Sequence, residues 1–266
     1  MDKETFQNGV KTIKDGMLGK QNANRYQRPH FTIRPLDAML KDLVAMKPVD
    51  WYAYAFSREP LNGKFNDEQR IQWTKEAIDC GIEYAQRIAK KYGSKNPVMI
   101  AEKMGMDVSY PDVPEKTDRV LFGEFKEPNK IMIYMDAVNK ASKSLREPDV
   151  KEVLGSHLNV KNLLLAHELF HHVEDEYRKE IYTRTKKVRL WNIGPLHNDS
   201  EVYTLGEIAG MAFAQELCGL PYSPFVMDVF LVYGYSPEEA SGLYEEIMER
   251  TGLVPCDADG NYPEAE

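Results

Sequence analysis

Apolar residues recur along this chain with two periods, and the switches between them sketch a fold. Leu36, Met39, Leu40, Leu43 and Val44 repeat at helical spacing until Pro48, which predicts a short amphipathic helix. Asn66 and Gln69 form a capping-box pattern ahead of Ile71, Ile78, Ile82, Ala85, Ile88 and Ala89, so a long helix is expected to run to Gly93. A shorter helix should follow Pro97 and stop near Gly105. The period then falls to two. Met106 to Tyr110, Arg119 to Phe125 and Lys130 to Met135 read as strands, the last two joined as a hairpin by Lys126-Glu-Pro-Asn129.

Helical spacing returns from Asp136 to about Val153, interrupted before Pro148. The next helix, capped near Asn159, carries Val160, Leu163, Leu164, Leu165, Ala166, Leu169, Phe170 and Val173 around most of its circumference, as expected at the centre of a domain. Another should start near Asp199 or Ser200 and end before Gly219. Two more are expected at Ser223-Pro224 and Ser236-Pro-Glu-Glu239, where a serine cap precedes a proline at the first helical position. Residues 1–65 read as an extension with a short helix, 66–252 as the main domain and 253–266 as a loosely held tail. The aromatic run Trp51-Tyr-Ala-Tyr-Ala-Phe56 could dock a ligand, but burial against its own protein is the preferred reading.

Composition narrows the function. Of 266 residues, 42% are hydrophobic and 29% charged, a balance that argues against a mainly disordered chain. The formal charge of −8 makes broad nucleic-acid binding a poor expectation. The charged start, Met1-Asp-Lys-Glu-Thr, lacks a signal-peptide core and no apolar run approaches a membrane span, so a cytoplasmic protein is expected. Cys80, Cys218 and Cys256 are far apart and read as reduced. Asp257-Ala-Asp259-Gly-Asn261 lacks the sixth-position glycine and closing glutamate of a calcium loop.

The chemistry concentrates on the apolar helix, which contains His167-Glu168-Leu-Phe-His171. Residues four apart share a helix face, so His167 and His171 can reach one metal ion, with Glu168 beside them as a proton acceptor. Polar side chains in an apolar setting cost several kcal/mol unless satisfied, and the bland alternative is a pair of hydrogen-bonded core histidines. A catalytic zinc needs a third protein ligand, for which Glu201 and Glu207 are candidates. Glu207 is preferred because small residues, Gly210 and Ala214, follow on its face and permit close approach; Glu201 reads as an exposed first-turn carboxylate. Tyr203, His197 and Tyr177 are candidate oxyanion donors. Asp175 is a candidate partner for an imidazole proton or a solvated carboxylate, and His172 faces away from the histidine row.

Several stretches together resemble the ImmA/IrrE family of zinc metallopeptidases. They are Tyr84-Ala-Gln-Arg-Ile-Ala-Lys-Lys-Tyr92, Asn96-Pro-Val-Met-Ile-Ala-Glu-Lys-Met-Gly-Met106, Gly123, Leu164-Leu-Ala-His-Glu-Leu169, Glu207-Ile-Ala-Gly-Met-Ala-Phe213-Ala214 and Leu220-Pro221, spanning roughly residues 70 to 225. The resemblance implies an α+β fold, mainly helical and zincin-like, with a small three-stranded sheet packed near the His-Glu-x-x-His helix. It also implies zinc held by His167, His171 and Glu207, with Glu168 as general base. The implied substrate is a protein or peptide, such as a helix-turn-helix transcriptional repressor. No such domain is evident in this chain, so a repressor target would be a separate protein. Phe170 stands where the family usually has glycine and Gly210 where it usually has alanine; the first change implies crowding near the metal. Two other readings stand beside the peptidase: a metal-stabilised docking or sensor module with little turnover, and nucleic-acid contact by the basic and aromatic stretch 184–191, whose bland counterpart is a solvated loop or hairpin bordering the cleft.

Overall fold

A computed structural model describes residues 30–113, 121–193 and 196–262. The first 29 residues of the expected arm, residues 119 and 120 of the second expected strand, and the last four residues of the tail lie outside that set. The fold is α+β and mainly helical. Its frame is three helices, α3 (Asp67–Tyr92), α7 (Val160–Glu176) and α9 (Tyr203–Cys218), with α9 packed against both of the others. Asn66 caps α3 as expected: its side chain accepts from the Gln69 N–H while Gln69 reciprocates, and Gly93 ends the helix in a left-handed conformation. A methyl group at Gly81 would sit 2.2 Å from the Ala209 carbonyl oxygen, so glycine is what lets α3 and α9 touch.

A short helix after Pro97, α4 (Pro97–Lys103), leads to a three-stranded mixed sheet beside α7. Strands β1 (Asp107–Ser109), β2 (Gly123–Lys126) and β3 (Lys130–Ile133) stand in the order β1-β3-β2, with β1 parallel and β2 antiparallel to β3. The expected hairpin is present, Phe125 opposite Ile131 and Gly123 opposite Ile133. Ile131 and Ile133 are fully buried, each a burial of about 1.5–3 kcal/mol, while Lys130 is exposed. Two short helices follow, α5 (Met135–Ser144) and α6 (Pro148–Leu154), split at the proline as the sequence predicts. α7 then begins at Asn159, whose side chain accepts from the Asn162 N–H at 3.0 Å.

The segment read as an N-terminal extension contributes α1 (Leu36–Ala45) and α2 (Tyr52–Phe56) to the same hydrophobic core as the rest. Trp51, Tyr54 and Phe56 are fully buried, Trp51 stacked on Phe225 with centroids 5.5 Å apart, so the aromatic run packs as preferred. α10 (Val226–Tyr233) and α11 (Pro237–Thr251) cover this side, and Ser236 caps α11 through the Glu239 N–H as expected.

Three boundaries differ from expectation. Residues 187–201 form a hairpin, β4 (Lys187–Ile193) with β5 (Leu196–Glu201), preceded by a short helix α8 (Tyr182–Thr185). Asp199 and Ser200 are therefore paired with Arg189 and Val188, and α9 starts only at Tyr203. Ser223-Pro224 opens a turn rather than the helix itself, which begins at Val226 after Phe225. The tail is anchored up to Tyr262: Cys256 is buried, its carbonyl accepts from Arg34 Nε at 2.6 Å, and the Tyr244 and Tyr262 hydroxyls both donate to Asp42. Among the described residues no helix is long and apolar enough to cross a membrane.

Candidate metal centre

His167 and His171 lie one turn apart on α7, and their Nε2 atoms approach to 3.3 Å. Across the helix seam, Glu207 of α9 brings Oε2 to 3.5 Å from His167 Nε2 and Oε1 to 3.8 Å from His171 Nε2. Ligands about 2.0–2.2 Å from a tetrahedral zinc stand about 3.3–3.6 Å from one another, so the first two separations match the edges of a tetrahedron around one ion and the third is slightly longer. The three donors fit a divalent metal by type and by spacing, all lying within 4.8 Å of each other. Glycine makes the approach attainable, because a Cβ at Gly210 would stand 3.1 Å from the His167 ring.

The electrostatics favour a cation at this point. Burial by itself would depress His171, but Glu174, Glu207 and Glu168 around it raise its pKa to about 9. Enclosure pushes Glu207 upward, yet its bond to His167 and the nearby His171 bring it down to about 2, although the side chain is 55% open to the cleft. Glu168 behaves differently: burial raises it, the two imidazoles oppose the rise, and the Phe125 N–H donates to its carboxylate. A carboxylate held near the point of proton exchange suits a general base. The Glu168 carboxylate rests against Gly123 of β2, where an added Cβ would stand 2.7 Å from Oε1.

The centre opens into a cleft of about 610 Å³ between β2, α7, α9 and α10. α7 and α9 run antiparallel here, with Glu174 against Gly206 and His167 against Gly210. One direction from the metal donors is therefore walled by apolar side chains, Leu163 and Leu164 of α7, Met211 and Ala214 of α9, and Met227 and Leu231 of α10. The other direction carries charge, from Glu127, Asp175 and Arg184. Arg58 and Asp228 complete the lining. The Arg58 guanidinium lies 3.9 Å from the Tyr54 ring centre, and the Tyr54 hydroxyl donates to Asp228 at 2.6 Å.

His167, His171 and Glu207 are thus brought together with Glu168 beside them, whereas several other candidates are not. His197 lies 3.5 Å from Asp199 on the hairpin and Tyr177 packs on Tyr84 and Arg87, both outside the main cleft, while Tyr203 is 73% exposed and lines a small side pocket with His171 and Glu207. Asp175 pairs with Arg178 at 3.3 Å, and His172 faces Phe125 and the Pro128 carbonyl. Glu201 belongs to the end of β5 rather than to a first helical turn, and it accepts from Arg184 at 3.0 Å. The basic stretch is locally neutralised: Arg184 bonds Glu174 and Glu201, Arg189 bonds Asp199, and Lys186 lies over the Trp73 ring.

Phe170 does not crowd the metal. It is fully buried between α7 and α9, 5.5 Å from the Phe213 ring and 6.1 Å from the His171 ring, and does not line the cleft. Its Cδ1 would stand 3.3 Å from a Cβ at Gly210, so Phe170 and Gly210 meet at one packing contact. Sequence reasoning missed Glu174, which is 3% exposed and lies 3.7 Å from His171 Nδ1, and also Arg58 and Asp228. The signal for Glu174 was available, since a residue three positions after a ligand shares its helix face. Arg58 and Asp228 come from elements remote in sequence and carry no local signal. No family model, curated protein or solved structure matches the chain.

Proposed function

We propose that this protein is a zinc-dependent metallopeptidase of the ImmA/IrrE type. The observation that carries this reading is the convergence of His167, His171 and Glu207 at the floor of an open cleft with Glu168 alongside. Zinc held by these three residues would supply Lewis acidity toward a peptide carbonyl and toward water. The chain's own residues do the rest. Glu168 accepts a proton from the attacking water at its carboxylate and delivers it to the leaving amine, a role aided by the raised pKa that burial gives it. Among the described residues β2 pairs only with β3, so its other edge, beside the cleft, can receive an extended peptide by backbone pairing. Apolar walls formed by Leu164, Met211 and Met227 favour a bulky apolar side chain on one side of the scissile bond. A regulatory protein, such as a separate helix-turn-helix repressor, is the substrate class this proposal carries. The alternative is a metal-stabilised docking or sensor module with little turnover; the peptidase reading is favoured over it by a cleft that Phe170, buried, does not line.

Metal analysis of the purified protein, paired with cleavage of a peptide library, tests the reading. Glu168→Gln should keep its zinc and lose about 10²–10⁴-fold in cleavage rate. His167→Ala and Glu207→Ala should lose the metal. Undiminished turnover by Glu168→Gln, or zinc retained in full by both ligand variants, would overturn the assignment.

A further inference from the structure

We infer that Glu174, clamped by Arg184, is the positioning residue of the metal centre, fixing the tautomer and tilt of His171; this rests on the metal reading above. His171 turns Nε2 toward His167 and Glu207, so as a metal ligand it must carry its proton on Nδ1. The carboxylate facing that nitrogen is Glu174, whose Oε2 is 3.7 Å away, about 0.5 Å beyond hydrogen-bond contact and within reach of a small ring rotation. His167 has no such support. Its Nδ1 is buried without a hydrogen-bond partner among the described residues.

Glu174 is held by Arg184 and given room by Gly206. Arg184 of α8 donates to Oε2 at 2.9 Å, and its other terminal nitrogen donates to Glu201 of β5 at 3.0 Å. On α9, Gly206 leaves room for the carboxylate, since a Cβ there would stand 2.8 Å from Oε1. A carboxylate with 3% exposure is costly even when paired, and an apolar residue would serve packing at least as well. Its orientation toward the free nitrogen of one ligand gives that cost a purpose, because a carboxylate behind a ligating imidazole fixes the ring and raises its basicity. The chain Glu201–Arg184–Glu174–His171 therefore ties the hairpin to the metal site.

The test compares the wild type with Glu174→Gln, Glu174→Asp and Gly206→Ala. Zinc affinity is read by chelator competition, and the His171 tautomer by imidazole nitrogen NMR in the zinc-loaded protein and in the metal-free protein at a pH above its pKa of about 9, where the ring is neutral. Glu174→Gln should weaken zinc by about 10–100-fold and raise the fraction of His171 protonated on Nε2, with Glu174→Asp recovering part of both. Gly206→Ala should shift both in the same direction by displacing the carboxylate without altering it. If that variant fails to fold, the Glu174 pair still decides. Unchanged zinc affinity and tautomer in Glu174→Gln would overturn the inference while leaving the metal centre intact. A wild type that binds no zinc would instead remove the metal reading, and the metal-free tautomer would still decide whether Glu174 orients His171.

Discussion

Arg184 and Arg189 stand five residues apart on one basic stretch, and each donates to a carboxylate at 2.9 Å. Distance does not distinguish them. Arg184 is 23% exposed and reaches Glu174, a nearly buried carboxylate facing a metal ligand, whereas Arg189 is 52% exposed and reaches Asp199 across the hairpin. The first pair cannot exchange its partners for water; the second can. The worth of an ion pair is set by what each charge would meet if left alone.

Removing Arg184 is the strongest way to sharpen that contrast. Arg184→Met should leave Glu174 buried with its main partner gone, costing about 3–5 kcal/mol in chemical denaturation. A loss below 1 kcal/mol would place Arg184 in the same class as Arg189. Glu201→Gln removes only the outer link, whose carboxylate is 34% exposed, and about 1 kcal/mol is expected once a charged hydrogen bond is discounted for solvent. At the far end, Arg189→Ala should change stability by about 0–1 kcal/mol, and whatever it loses should shrink as salt is raised. A large, salt-independent loss there would break the comparison.

The same contrast explains how much the sequence disclosed. His167, Glu168 and His171 were legible because helical spacing alone places them, and Glu207 because small residues on its face announced a close neighbour. The long helix, the hairpin of β2 and β3 and the cap at Asn159 followed from periodicity and capping chemistry. Glu174 and Asp175 both sit one turn beyond His171, and only Arg184, arriving from another segment, decides between them. The early start expected for α9 failed for a related reason. Asp199 and Ser200 suit a helix cap locally, but cross-strand pairing with Arg189 and Val188 claims them first. The residue Phe170 packs against was likewise invisible until the fold brought Phe213 opposite it.

The packing between Phe170 and Gly210 also couples two positions. Neither can change alone, the first to glycine or the second to alanine, without penalty. Losing the Phe170 ring first leaves a cavity beside Phe213, a step of about 3–5 kcal/mol. Adding the methyl at Gly210 first presses it to 3.1 Å from the His167 ring and 3.3 Å from Phe170, a step of about 1–3 kcal/mol that also disturbs a metal ligand. The two changes are therefore coupled, and the double variant should lose less stability than the two single losses summed, as a double-mutant cycle would read.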